Sequence, residues 1–207
     1  MKDLGLDGFL TLVENEKRAL AYQSYPIDVS EFENEITFET TEVPSVEIED
    51  KEAYNEWKKS NVIPQKQEGL FAVGIKVLLG DFYTDKARLL ADLVKKYAAN
   101  ELRFTLRQNI LIRHVREEFL PFFYVELKKL GFVETGYNSF IDITACPGTD
   151  TCNLGIASST GIADELERVL KAEYPQYVNN TEVTIKISGC MNACGQHNMA
   201  HLSLIHI

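Results

Sequence analysis

The sequence predicts an α+β protein in which a four-stranded antiparallel sheet, covered on one face by two helices, is followed by a smaller α/β unit. Three observations point there. Between residues 70 and 145 the apolar pattern switches between strand and helix periods in the order β-α-β-β-α-β. All four cysteines lie after that run, as Cys146/Cys152 and Cys190/Cys194. The chain has 207 residues and is 45% hydrophobic, enough to bury a core.

Each element has its own signal. Leu70 to Leu79 alternates Phe71, Val73, Ile75, Val77 and Leu79 on one face, with Gly74 and Lys76 on the other, which predicts a strand. Thr84 is expected to cap a helix carrying Leu90, Leu93, Val94, Tyr97 and Ala98 as far as Asn100. Strands over Leu102–Leu106 and Ile110–Val115 are joined at Arg107-Gln108-Asn109. A second helix from about Glu117 to Leu130 has Leu120, Phe123, Leu127 and Leu130 in one stripe and Gly131 as its cap. The fourth strand, Phe140–Ala145, delivers the chain to Cys146. This is the ferredoxin-like split βαβ order, which by itself says little about function.

Beyond Cys152, Thr160 to Tyr174 reads as an amphipathic helix with Leu166, Val169 and Leu170, ended by Pro175. Asp164 and Glu165 are assigned to its first turn, where they suit the helix dipole. Val183, Ile185 and Ile187 alternate in a strand running into Gly189-Cys190, with Lys186 expected on a solvated face. Before the sheet, Phe9, Leu10, Leu12, Val13 and Leu20 predict a helix through about Tyr22. Ser30 to Glu52 reads as an acidic, solvated linker, and a short helix over Lys51–Lys59 lets Trp57 pack on the sheet. The expected boundaries are 1–66, 67–138 and 139–207.

The cysteine pairs allow several readings. Disulfides need an oxidising compartment, and Met1-Lys-Asp-Leu-Gly-Leu-Asp has no apolar signal core, so a cytoplasmic, reducing setting is expected. Structural zinc suits the Cys190/Cys194 spacing and not that of Cys146/Cys152. Four unrelated buried thiols is the plainest reading. Two short loops that each offer a pair of thiolates also suit a cubane iron–sulfur cluster, and Pro147, Gly148, Gly155, Gly189 and Gly195 let backbone N–H groups approach the sulfurs.

Thr144-Ala-Cys-Pro-Gly-Thr-Asp-Thr-Cys-Asn-Leu-Gly155 and Ile187-Ser-Gly-Cys-Met-Asn-Ala-Cys-Gly-Gln-His197 resemble the cluster loops of the sirohaem-dependent nitrite and sulfite reductases. Leu102-Arg-Phe-Thr-Leu-Arg-Gln-Asn-Ile-Leu-Ile112 resembles the T-x-R-Q-N turn of that family's ferredoxin-like half-domains. The resemblance implies an α/β sirohaem and 4Fe–4S binding domain after the half-domain. It implies that Cys146, Cys152, Cys190 and Cys194 ligate the cluster, and that Cys194 also bridges to the sirohaem iron. The activity implied is six-electron reduction of nitrite to ammonia or sulfite to sulfide, with a slight lean to nitrite.

Because sirohaem is a polycarboxylate, Arg107, Gln108 and Asn109 are nominated to bind its carboxylates, whereas Arg103 is expected to be a solvated strand position. His197 is either a proton source near the cluster or simply hydrated. The family's working unit has two such halves, so a fragment holding one half, with little turnover alone and its substrate-binding basic residues elsewhere, is expected. The tail after Ala200, with His201 and His206, departs from the family and is assigned no role. The resemblance implies an electron donor such as ferredoxin or a reductase flavoprotein. A net charge of −10 disfavours nucleic acid and anionic membranes. The alternative function is a 4Fe–4S electron carrier or redox sensor without haem.

Overall fold

The structure, a computed structural model, describes residues 4–20 and 36–205. The chain divides into two compact units between Glu35 and Ile36. In the first, α1 (Gly5–Ala19) is a helix with no buried residue, capped at Leu20. Residues 21–35, which include Tyr22 and the start of the expected linker, lie outside the described residues, as does His206.

The second unit begins with an extended segment in which exposed Glu39, Glu42, Glu47 and Glu49 are interspersed with half-buried Phe38, Val46 and Ile48. The expectation of a merely solvated linker is therefore corrected. Val46 and Ile48 pack on the first core, and the Arg116 guanidinium lies 4.7 Å from the Phe38 ring centroid while donating to Thr40 O at 2.7 Å. The acids face water and the apolar side chains strap the segment down.

Next come α2 (Lys51–Asn61), β1 (Val62–Pro64) and β2 (Leu70–Ile75). Asp50 caps α2 by accepting from Ala53 N, and Trp57 is fully buried against Tyr54 and Tyr124. Then α3 (Thr84–Tyr97), β3 (Leu102–Phe104), β4 (Ile110–Arg116) and α4 (Leu120–Leu130) complete the first core. Thr84 is the first helical residue and not the cap, since the N-cap Tyr83 offers no side-chain bond. Gly131 ends α4 at φ 77°, as its position after the apolar stripe suggests.

The first sheet runs β1-β2-β4-β3, all antiparallel. Its β2, β3 and β4 make one split βαβ, with β4 between the two strands that α3 connects. The fourth position is a correction. It is filled by β1, from before the motif, and the segment expected there, Phe140–Ala145, supplies only β5 (Thr144–Ala145) to a second sheet.

That second sheet, β5-β6-β7, is parallel and adds β6 (Ile185–Ser188) and β7 (Leu202–Ile205), with α5 (Ser159–Glu173) packed on it. Asp164 and Glu165 fall beyond the first turn of α5, which is capped by Ser158 accepting from Gly161 N. The tail has a role after all. His201 N donates to Thr184 Oγ1 at 3.3 Å, and the strand that follows pairs along β6.

Strand β2 stops four residues short of its expected end, and Leu79 takes a left-handed φ of 55°. The face read as polar is buried. A Cβ on Gly74 would meet the Tyr137 ring at 2.5 Å, and the Lys76 side chain is 2% exposed. The stretch between α4 and β5 covers this face, so alternation located the two faces of β2 but not what lies on the second.

Candidate functional site

The two cysteine loops leave adjacent parallel strands. Cys146 follows β5 directly and Cys190 follows β6 after Gly189, so the parallel register of Ala145 with Ile187 carries both thiol-bearing turns to one end of the second sheet. Cys146 N donates to Ile187 O at 3.1 Å, and Gly189 N donates to Cys146 Sγ at 3.2 Å. Ile156 N and Ala157 N, beyond Cys152, both donate to Gly189 O.

Small residues make this approach possible. A Cβ on Gly189 would meet Ala157 O at 2.6 Å, one on Gly155 would meet the Gly148 carbonyl carbon at 2.6 Å, and one on Gly195 would collide with Ile187 O. Gly148 is left-handed at φ 54°, which lets the first loop fold back under the second.

Burial pushes the Cys146 thiol pKa up, but hydrogen bonds from Gly189 N–H, the Ser159 hydroxyl and Gly148 N–H outweigh it and hold the thiol below its ordinary value. Ser159 Oγ lies 3.2 Å from the sulfur. All four cysteines are free thiols: Cys146 is buried, Cys152 and Cys190 are half-buried, and Cys194 is exposed. The loops are brought together, yet among the described residues no three His, Cys, Asp or Glu side chains form a group able to hold a metal ion.

The nominated turn divides in its behaviour. Asn109 is fully buried, donates from Nδ2 to Asp142 Oδ2 at 2.6 Å and accepts from Val77 N at 2.9 Å. Gln108 donates to Ala145 O at 2.8 Å and accepts from Ala145 N at 3.1 Å. Both amides are thus engaged within the protein. Arg107 differs, because its Nη1 is buried with no partner. Arg103, by contrast, is the exposed strand position expected, paired with Glu101 at 2.9 Å.

Lys186, expected on a solvated face, is buried. Its Nζ donates to Gln196 Oε1 at 2.7 Å; burial and then the nearby Arg107 charge hold its pKa below the usual lysine range, although Asp142 opposes them. Among the described residues neither Arg107 nor Lys186 forms an ion pair with a carboxylate. His197 Nδ1 is likewise buried without a partner, so plain hydration does not describe it. Lys186 was missed because an isolated lysine in an alternating strand gives no sign of what covers its face.

Residues 63–130 match the family described as "Nitrite/Sulfite reductase ferredoxin-like half domain". The chain carries a half-domain of the nitrite/sulfite reductase family. Over 157 residues, 72% of the chain, it is 30% identical to a ferredoxin–nitrite reductase from Synechococcus elongatus, and it is 27% identical to the chloroplastic enzyme of Spinacia oleracea over 158 residues. A sulfite reductase (ferredoxin) of Mycolicibacterium paratuberculosis is 26% identical over 69% of the chain. The chain spans only 29%, 25% and 26% of these three relatives. The fold is that of the Mycobacterium tuberculosis NirA protein, with a TM-score of 0.60, 24% identity, and coverage of 95% of this chain and 32% of that one. No helix among the described residues is long and apolar enough to cross a membrane.

Proposed function

We propose that this chain forms the cluster- and sirohaem-binding part of an enzyme that reduces nitrite to ammonia, with sulfite reduction as the family's other reaction. The observation that carries the reading is the Gly189 N–H bond to Cys146 Sγ, which locks one thiol-bearing loop against the residue next to Cys190. It stabilises the thiolate, the form that ligates iron.

The residues fit the group in two further ways. Glycines at 148, 155, 189 and 195 create a cradle that any Cβ would fill, leaving backbone N–H groups near sulfur. Arg107 and Lys186 supply positive charge beside the loops of a chain whose net charge is −10, and among the described residues neither is in ion-pair contact with a carboxylate, Asp142 acting on both only from a distance. Buried cations without counter-ions are costly, and an anionic ligand offsets that cost.

On this reading Cys146, Cys152, Cys190 and Cys194 would hold a 4Fe–4S cluster, and Cys194, exposed on its loop, would share its thiolate with the sirohaem iron. When bound, the two groups would relay electrons one at a time from the donor and supply the iron at which the oxyanion is reduced. Arg107 and Lys186 bind and orient the tetrapyrrole carboxylates, and His197 is placed to hold a proton near the second loop. The names of the relatives support a ferredoxin as donor, and two of the three name nitrite; a reductase flavoprotein is the other donor class we propose. We assign residues 67–138 to the half-domain, 139–207 to the cofactor domain, 1–66 to the leading segment, and a cytoplasmic location.

Anaerobic reconstitution with iron, sulfide and sirohaem tests this. Wild-type chain is expected to take up iron and show tetrapyrrole bands, and each single Cys→Ser variant to lose iron-dependent colour. Unchanged colour and iron content in those variants would sink the proposal, and iron uptake without tetrapyrrole bands would favour a haem-free carrier.

A further inference from the structure

We propose that the turn Thr105–Asn109 is a clamp that fixes the spacing of the two cysteine loops, gripping the first through Gln108 and the second through Gln196. The inference rests on the reading that these loops hold an iron–sulfur cluster. It assigns Gln108 and Gln196 as positioning residues that act through the thiol-bearing loops.

On the first side, the Gln108 carboxamide reproduces what a neighbouring strand would do. It exchanges both hydrogen bonds with Ala145, donating to the carbonyl at 2.8 Å and accepting from the amide at 3.1 Å. Ala145 lies on β5, an edge strand of the second sheet that among the described residues pairs only with β6, and the next residue is Cys146. A side chain from the first sheet therefore completes the edge of the second, immediately before a thiol.

On the other side, Gln196 follows Cys194 by two residues and carries two bonds. Its Nε2 donates to Leu106 O at 3.2 Å, at the tip of the same turn, and its Oε1 accepts from Lys186 Nζ at 2.7 Å. Lys186 is on β6, four residues ahead of Cys190. One side chain thus ties the turn, the strand before the second cysteine pair and the loop after it.

The backbone is held in a costly form to make these contacts. Gln108 and Gln196 both have left-handed backbones, at φ 64° and 58°. For residues with a Cβ this conformation is disfavoured and persists only where surroundings over-determine it. The turn is correspondingly stiff: the Thr105 hydroxyl accepts from Arg107 N at 3.3 Å and Asn109 N at 3.2 Å, and Thr105 N donates to Asn109 O at 2.8 Å. Asn109 then anchors the turn in the interior through Asp142 and Val77. A flexible turn would transmit no geometry; this one is built to.

The test uses the full chain after anaerobic iron and sulfide loading, with Gln108→Leu and Gln196→Leu, which keep bulk and remove the bonds. Arg168→Ala, on the exposed side of α5, is the control. Iron release to a chelator and the electron paramagnetic resonance spectrum of the reduced protein are read together, beside the thermal midpoint of the metal-free chain. Each leucine variant is expected to release iron about 10- to 100-fold faster and to show shifted g-values, as loss of a group that orients metal ligands does. The control should match wild type.

Wild-type release rates and spectra in both leucine variants overturn the clamp while leaving the cluster reading intact. A change in only one of them overturns its two-sided form. Failure of the wild-type chain to take up iron overturns the cluster reading, and the clamp with it. If Gln108→Leu does not fold, Gln196→Leu carries the test, since its bond to Leu106 lies at the surface.

Discussion

Asp142 shows what one residue in this seam controls. Its carboxylate accepts from Asn109 Nδ2 at 2.6 Å and from Asn138 N at 2.8 Å, yet burial outweighs these bonds and the nearby Lys76 and Arg107 charges, so its pKa is raised. An acid whose folded value lies above its unfolded value of about 3.9 is ionised first in the unfolded chain. Its contribution to stability therefore falls as pH climbs through that window and levels off above the folded value. Asp142→Asn keeps an acceptor and removes the titration. Urea unfolding from pH 3 to 7 should show wild type losing stability relative to this variant as pH rises, and parallel curves would show that the carboxyl is not the source. Asp142→Ala should cost about 1–3 kcal/mol at neutral pH, because it strands two donors. None of this was legible beforehand. Asp142 lies unremarked in the expected strand 140–145, Lys186 reads as a solvated strand position and Asn109 as a carboxylate ligand, and only contact with elements distant in sequence makes the three buried. That the two cysteine loops come together was legible because paired thiols with interleaved glycines form a pattern that survives without knowledge of the fold.

Between elements, the strongest connection is ionic. Lys76, just past β2, donates to Glu167 on α5 at 2.6 Å and to Glu134 at 3.1 Å, while Lys171 reaches Glu134 at 2.5 Å and Glu167 at 2.6 Å. Burial raises the Glu134 pKa, but the two ammonium groups more than reverse this and hold it low. A depressed acid contributes stability that is present at neutral pH and lost as pH falls through its folded value. Lys76→Met is expected to destabilise by about 3–5 kcal/mol, since it leaves buried carboxylate under-compensated. Lys76→Met/Glu167→Met should cost clearly less than the two single changes summed, as no buried charge is then left alone. Chemical denaturation of the four proteins reads this, and strict additivity would mean that the two side chains do not share an interaction. Element existence was well marked in the sequence: helices at 84–97 and 120–130 and strands at 70–75 and 110–116 follow their apolar periods. The partner of β5 was not, because a two-residue parallel strand pairing some forty residues onward leaves no local signature.

The unit spanning residues 36–205 contains two separate apolar clusters. The larger is built on Trp57, Leu90, Ile112, Phe119, Phe123 and Leu127, and the smaller on Ile141, Ile143, Ala163, Leu170, Ile185 and Ile187. Alongside Leu79, which packs on the smaller cluster, directional polar bonds join them: Asn109 to Asp142, Gln108 to Ala145, Lys76 to Glu167 and Asn61 to Glu134 O. Hydrophobic burial is additive and undirected, so each cluster stabilises its own sheet, whereas their coupling depends on a few directional bonds that fail when one partner is lost. The smaller cluster carries the cysteine loops, and on the proposed reading a cluster bound there would contribute folding free energy to the unit that holds it. Cooperativity between the halves should therefore be fragile in the metal-free chain. Asn109→Ala breaks one seam bond, to Asp142, and one bond within the first core, leaving the Asp142 carboxylate and Val77 N short of partners. Native-state hydrogen exchange should find that amides of β2 and β4 keep their protection in this variant. Those of β6 and α5 should lose it by about 10- to 100-fold, the equivalent of 1–3 kcal/mol for a buried donor or acceptor left unpaired. Equal loss in both sheets would mean that the two clusters fold as a single unit and that the seam is incidental to their coupling.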